Sequence, residues 1–165
     1  MNRLREKILV AFLSIALPAL MSCSFPASFV IVNLSDGLME VTYEFKDSPG
    51  VEFSCPEGKV YTAPSVKGAD EVESREAAWA TLQPGEYVCD PLLRTVFVPV
   101  GAGVALKVAS HEDPGSEMGP LDTERFPIGR LLVNGPSGSI EYTGAQVLRA
   151  FERGDTGLTF HLTYR

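Results

Sequence analysis

The sequence predicts an all-β fold, an antiparallel β-sandwich of about nine or ten short strands with one short helix in the C-terminal region. Three observations support this prediction. Apolar and polar residues alternate with a period of two in several segments, turn-forming residues separate those segments, and only one segment has the spacing of an amphipathic helix. Many short strands with turns between them are typical of sandwiches and barrels.

The alternation is clearest over residues 39–46, in which Met39, Val41, Tyr43 and Phe45 are separated by polar residues. Residues 104–109 and 158–164 repeat the pattern. Residues 29–34 form a more uniformly apolar strand, which the turn at 35–37 joins to the next. Further strands are predicted at 77–82, 86–89, 95–100, 128–133 and 139–142.

One helix is predicted after residue 142. Thr143 and Gln146 have the spacing of a capping box, with Thr143 as the N-cap, and Gly154 is the expected stop. Three apolar residues would share one face: Val147, Leu148 and Phe151. The helix is therefore expected to pack over an open end of the sandwich.

The segment Leu82-Gln83-Pro84-Gly85-Glu86-Tyr87 resembles a strand start found in prealbumin-like and other immunoglobulin-like sandwich modules. Pro84 and Gly85 supply the turn, and Tyr87 is expected to point inward as the next strand begins. This resemblance implies a fold class and carries no activity with it.

The N-terminal segment has the composition of a secretory signal peptide. Arg3, Arg5 and Lys7 surround one acid, and an apolar run follows over residues 8–21. A membrane-spanning helix needs about 20 apolar residues, so this run is too short to be one. Export from a bacterial cytoplasm is therefore predicted, with residues 1–22 as the signal peptide.

The end of that run, Leu20-Met21-Ser22-Cys23, resembles the lipobox of bacterial lipoproteins, although Met21 is bulkier than the residue usual at its position. The resemblance implies that Cys23 becomes a lipidated N-terminus, held in membrane lipid by acyl chains such as palmitate. Because Ser24 follows instead of Asp, a Gram-negative host would place the protein in its outer membrane. The alternative is ordinary cleavage, for example after Ser24, which would release a secreted protein.

A short tether is predicted between the anchor and the fold. Residues 23–28 would connect the lipid to a single sandwich domain over residues 29–165. The five residues after Cys23, Ser24 to Ser28, reach at most ~18 Å when extended, so the domain would stay close to the headgroups. Its partner is therefore expected to be a membrane-associated protein, with the acidic loops turned away from the membrane.

The charge of the processed chain argues against nucleic-acid binding. Residues 1–22 contain three of the 14 basic and one of the 21 acidic residues, which leaves 11 against 20 and a formal charge of −9. Such a surface repels phosphate backbones. The remaining ~140 residues are sufficient for one domain with its own core.

Besides Cys23, two cysteines remain after processing, Cys55 and Cys89, both in strand-like segments. Outside the cytoplasm such a pair tends to oxidise, so a disulfide between neighbouring strands is predicted. Zinc binding is disfavoured, because neither cysteine has a Cys-x-x-Cys partner or a nearby histidine.

Two stretches, 64–76 and 110–127, are acidic, lack strand periodicity and are predicted to be long loops. The second contains the weak metal-ligand candidates His111, Glu112 and Asp113; adjacent loop residues rarely converge on one ion, so a solvated loop is favoured. His161 is expected on the solvated face of the last strand. The Asn33-Leu34-Ser35 sequon is interpreted as chance.

No nucleophile elbow, phosphate loop, dinucleotide fingerprint or His-Glu-x-x-His motif occurs, so no cofactor and no catalytic residue is predicted. The function expected is that of a non-enzymatic envelope lipoprotein that binds a partner or takes part in assembly. Two alternatives stay open, a hydrolase-like enzyme and a cation-binding module that uses the acidic loops. A pocket lined by His111 and acids would favour the enzyme, whereas an exposed apolar patch or an unpaired strand edge would favour binding.

Overall fold

The structure is a computed structural model that describes residues 26–47, 52–56, 59–73, 78–112, 123–124, 126–155 and 159–165. These residues form two packed β-sheets and two short helices, so the predicted all-β sandwich is confirmed. The proposed signal peptide and Cys23 lie outside the described residues. Within the described part, no helix is long and apolar enough to cross a bilayer.

The strands in chain order are β1 (Pro26–Asn33), β2 (Met39–Phe45), β3 (Tyr61–Ala63), β4 (Ala80–Thr81), β5 (Val88–Asp90), β6 (Thr95–Val100), β7 (Val104–Glu112), β8 (Ile128–Gly135), β9 (Gly138–Thr143), β10 (Glu152–Arg153) and β11 (Thr159–Tyr164). The helices are α1 (Ala69–Glu73) and α2 (Ala145–Arg149). Sheet A has the order β10-β11-β1-β7-β3-β4, and sheet B has the order β5-β6-β2-β8-β9.

One strand pair departs from the predicted antiparallel arrangement. The first strand, β1, pairs in parallel with the last strand, β11, in a register that runs from Ser28↔Thr159 to Asn33↔Tyr164. The other pairs in the described residues are antiparallel. The first and last strands of the described chain therefore lie side by side within sheet A.

Several predicted boundaries are corrected. The strands β3 and β10 were not expected, because segments of three and two residues are too short to show an alternation. The strand-like segment before Cys55 forms no strand over residues 52–56. The first strand begins at Pro26, three residues earlier than predicted, and β7 extends to Glu112 because its last residues pair with that added length of β1.

The main core lies between the sheets and contains the inward-facing residues of both. Sheet A contributes residues such as Phe29 and Leu106, and sheet B contributes Met39, Val41 and Tyr43. Alternate residues of β2 are buried, as the period-two pattern predicts. Burial raises the pKa of the Tyr43 phenol well above its usual range.

The outer face of sheet A is covered, which the sequence did not indicate. Val66, Val72 and Trp79, from the segment that includes α1, cover outer-face residues of β1, β3 and β7. The Nζ of Lys107 lies 4.9 Å from the centroid of the Trp79 ring, and burial lowers the pKa of this lysine. Part of the predicted acidic loop at 64–76 is therefore a packed cover.

The predicted start and end of the C-terminal helix are also wrong. Thr143 is the last residue of β9, pairs with Arg130 and lies one residue before the N-cap position. Gly144, with a φ of 54°, takes that position, and no side chain caps the helix. The helix ends at Arg149, before the predicted stop at Gly154. The predicted apolar residues are nevertheless buried: Val147, Leu148 and Phe151.

Asn33 ties the two sheets together at one end of the sandwich. Its buried Nδ2 donates to the carbonyl oxygens of Gly37 (2.9 Å), Val100 (2.9 Å) and Gly101 (3.1 Å). Its Oδ1 accepts from the backbone N and the hydroxyl of Ser35. Because the side-chain amide is fully buried and engaged, the sequon at this position is closed to glycosylation in the folded protein.

Candidate functional site

The predicted disulfide is confirmed, although its setting differs from the prediction. The sulfur atoms of Cys55 and Cys89 are 2.05 Å apart and the Cα atoms are 5.9 Å apart, within the range that a disulfide requires. Cys89 lies on the edge strand β5, but Cys55 lies in a segment without strand pairing. The bridge therefore fastens a loop to the edge of sheet B and does not join two strands.

Two of the three metal-ligand candidates lie in a strand and not in the predicted loop. The backbones of His111 and Glu112 belong to β7 and pair with Ala27 and Pro26, whereas Asp113 lies outside the described residues. In the part of the chain that the structure describes, no group of three potential ligands is close enough to hold a metal ion.

His161 is more buried than predicted. Its side chain is only 14% exposed, and its Nε2 lies 3.9 Å from a carboxylate oxygen of Glu152. These residues are direct cross-strand partners in β10 and β11, so strand register accounts for their proximity. An open cleft of about 540 Å³ adjoins them and is lined by charges of both signs, including Lys67, Asp70 and Arg153.

The exposed large apolar side chains of the described residues are concentrated on sheet B and its turns. Leu92 is 92% exposed and Leu93 is 65% exposed, both in the turn between β5 and β6. Val88 on β5 and Ile140 on β9 are exposed at the two edges of sheet B, and Leu38 is exposed in the turn before β2. In sheet A, by contrast, the segment around α1 covers the outer face of β1, β3 and β7.

The strand registers place a partly apolar row across the outer face of sheet B. The row consists of five residues whose Cα atoms are successive cross-strand partners: Val88, Phe97, Thr42, Leu132 and Glu141. All five are exposed or half-buried. This face is a surface on which another molecule could pack.

The turn at residues 91–94, which we call the β5–β6 tip, is held in place from both sides. One Asp90 carboxylate oxygen accepts hydrogen bonds from the backbone N–H groups of Leu92 (2.9 Å) and Leu93 (3.1 Å). The Arg94 carbonyl accepts a bond from the backbone N–H of Phe45 (3.0 Å). The Arg94 side chain pairs with Asp47, so the two leucines project from an anchored turn.

Strand direction places this tip at the end of the sandwich where the described chain begins. The last residue of β1, Asn33, bonds to Val100, the last residue of β6, so both strands finish at one end, the Asn33 end. Their first residues, Pro26 and Thr95, therefore lie at the opposite end, the Pro26 end. The tip immediately precedes Thr95 and shares the Pro26 end.

Sequence reasoning missed the β5–β6 tip. The connection between the two predicted strands contains Leu92 and Leu93 side by side, although turns are normally built from polar residues, Gly and Pro. Two adjacent leucines in a turn were the feature of the sequence that could have indicated this site. Comparison of the chain with protein-family models, curated proteins and solved structures found no match.

Proposed function

We propose that this chain is an exported lipoprotein of the bacterial envelope, whose sandwich binds a membrane-associated partner or takes part in an assembly at the membrane surface. The lipobox-like sequence that ends at Cys23 supports the anchor. Ser24 supports the outer membrane as its location in a Gram-negative host.

A very short tether supports a role close to the membrane. The first strand begins at Pro26, so only Ser24 and Phe25 separate it from Cys23. Two extended residues reach at most about 7 Å, less than the ~18 Å expected from the sequence for five residues. A domain on such a tether samples little beyond the headgroups. The connection from β7 to β8 also starts at the Pro26 end. The expectation that the acidic stretch 110–127 is turned away from the membrane is therefore not part of this proposal.

The observation that carries the binding role is the concentration of exposed apolar side chains on sheet B. A segment of the same chain covers part of the outer face of sheet A, whereas the outer face of sheet B has an accessible row that contains Val88, Phe97 and Leu132. Exposed apolar patches are typical of surfaces at which a protein binds another protein, a membrane or a ligand.

The anchor is tested by mass spectrometry of the protein purified from membranes. We expect an N-terminal Cys23 that carries a diacylglyceryl group, and the Cys23→Ala variant should accumulate as an unprocessed precursor or leave the membrane. An unmodified N-terminus at Phe25 in the wild-type protein would contradict the anchor.

The binding role is tested with photo-crosslinking residues in living cells. Positions Glu40 and Glu141 lie on the outer face of sheet B, and Asp70 on α1 is the control on the covered side. We expect one membrane-associated partner to be crosslinked from Glu40 and Glu141 and not from Asp70. Equal crosslinking from all three positions would refute a sheet B site.

The requirement for proximity is tested separately with a longer tether. Inserting about 20 Gly and Ser residues after Ser24 would add roughly 25 Å of average reach. We expect this insertion to reduce the specific crosslinking. Unchanged crosslinking would show that closeness to the membrane is not needed.

A further inference from the structure

The β5–β6 tip combines high exposure with an apolar composition. Pro91, Leu92 and Leu93 are consecutive and exposed, and Leu92 is 92% exposed. Burial of apolar surface is favourable, so two neighbouring leucines exposed to water lower the stability of the protein unless they contact another apolar surface or a membrane.

Two of the backbone donors of the tip already have partners within the turn. Both leucine N–H groups are already satisfied by the Asp90 carboxylate. Transfer of an unsatisfied donor into an apolar medium costs free energy, and these two satisfied N–H groups avoid that cost. The disulfide at Cys89 and the bond from Phe45 to the Arg94 carbonyl hold the base of the tip, so little conformational entropy remains to be lost on contact.

The position of the tip identifies what it can reach. It shares the Pro26 end with the point from which the chain leads back to Cys23. The tip lies beside strand β6, one strand away from β2, and β1 lies in the facing sheet. The end of such a sandwich is small, because neighbouring strands are ~4.8 Å apart and the sheets ~10 Å apart, so the tip lies within a few strand spacings of the start of β1.

We propose that residues 91–93 insert into the headgroup–acyl boundary of the membrane that holds Cys23, as a second contact that orients the sandwich with its Pro26 end down. This inference rests on the proposed lipid anchor. A protein partner fits the tip less well, because a stable interface covers about 800 Å² on each side and requires matching polar groups at its rim. A bilayer requires neither.

The tether makes so small a contact effective. Two leucines alone would hold a protein to lipid only transiently. Once Cys23 is anchored, insertion becomes an intramolecular step at high effective concentration, so a weak contact is sufficient to fix an orientation. The contact is apolar, so it should form on zwitterionic lipid and should not require anionic headgroups.

Tryptophan reporters in the full-length lipidated protein test the proposal. Leu92→Trp places a reporter on the tip, and Leu38→Trp is the matched control, because Leu38 is also exposed (59%) but lies at the Asn33 end next to Gly37. The wild type, with its single Trp79, provides the baseline emission. Both substituted side chains are solvent-exposed, so folding should be unaffected.

The proteins are reconstituted on phosphatidylcholine vesicles, with and without lipid brominated near the top of its acyl chains. We expect the emission added at position 92 to shift to the blue and to be mostly quenched by brominated lipid, and the emission added at position 38 to stay unchanged. Equal behaviour at the two positions, whether both are quenched or neither is, would overturn the proposal. A tip that stays exposed to water on vesicles, as expected if it binds a protein partner instead, would likewise overturn the proposal.

Failure of the anchor is distinguishable from failure of the tip. Vesicle flotation and the N-terminal mass report on Cys23 regardless of residue 92. If Cys23 carries no lipid, an N-terminal histidine tag and nickel-chelating lipid hold the same chains on the vesicles, and the same quenching comparison decides the tip.

Discussion

Replacing Asn33 by aspartic acid would test the network that ties the end of β1 to the end of β6. The substitution keeps the shape of the side chain and replaces the Nδ2 amide nitrogen by an oxygen. In the wild type that NH₂ group donates to three carbonyl oxygens at 2.9, 2.9 and 3.1 Å, in a site with no solvent exposure. The Asn33→Asp variant would face the same three acceptors with one donor hydrogen at most.

The cost has two parts. A protonated carboxyl group leaves at least one buried acceptor without a donor, which costs about 1–2 kcal/mol. An ionised carboxylate would press against carbonyl oxygens in a buried site, so burial and these dipoles raise the pKa of the introduced group above its usual ~3.9. A rise of about two units adds ~2.7 kcal/mol once the pH exceeds the raised pKa. The total loss at neutral pH is therefore about 4 kcal/mol.

The sign of the pH dependence follows from proton binding. Between the unfolded and the raised folded pKa, the folded variant binds more protons than the unfolded chain, so its stability falls as the pH rises. The wild-type Asn33 does not titrate. The difference in unfolding free energy between variant and wild type should therefore grow between about pH 4 and pH 6 and then level off.

Urea unfolding monitored by Trp79, the single tryptophan, measures this difference at several pH values. Ser35→Ala is the matched control, because it removes the 2.6 Å bond to Asn33 Oδ1 without adding an acid. We expect that control to lose about 1 kcal/mol at every pH. A loss for Asn33→Asp that is independent of pH, or below about 1 kcal/mol at neutral pH, would refute the reasoning.

Three further predictions follow from other contacts. Replacing Cys55 and Cys89 by serine should lower the unfolding free energy by about 4 kcal/mol, because the bridge spans 34 residues; a loss below ~2 kcal/mol in urea unfolding would contradict this. Gly135→Ala should cost about 1–3 kcal/mol, because its Cβ would lie 2.5–2.8 Å from ring and hydroxyl atoms of the last tyrosine of β11; Gly101→Ala, with ordinary contacts, should be tolerated. Burial lowers the pKa of Lys107, so the unfolding free energy of the wild type should rise as the pH increases from that lowered value toward 10.5. The Lys107→Met variant should not show this rise, and a variant whose stability depends on alkaline pH in the same way as the wild type would contradict the prediction.

Local sequence patterns were sufficient for the elements whose evidence is local. Met39, Val41 and Tyr43 alternate with polar residues because successive side chains on a strand point to opposite faces, and these three are buried in β2. Val147 and Leu148 are buried on α2 for the corresponding helical reason. The pairing of Cys55 with Cys89 followed from their being the two cysteines that remain when Cys23 is assigned to the lipid anchor.

Where sequence reasoning failed, contacts between distant segments decided the outcome. Thr143 has the spacing of an N-cap, but pairing with Arg130 keeps it in β9. His161 lies on the outer face of its strand as the pattern indicated, yet it is largely buried. An alternating pattern assigns residues to a face but does not show which other segment covers that face.

The candidate site divides in the same way. The sequence by itself determined that Leu92 and Leu93 are neighbours in a connection between strands, and that a lipobox-like cysteine precedes the fold. Only the tertiary structure decided that this turn projects its leucines and shares the Pro26 end of the sandwich. That placement depends on contacts such as the one between Asn33 and Val100, which are 67 residues apart. A local pattern cannot report such a contact, because long-range pairing and the packing of two sheets determine which turns meet at one end.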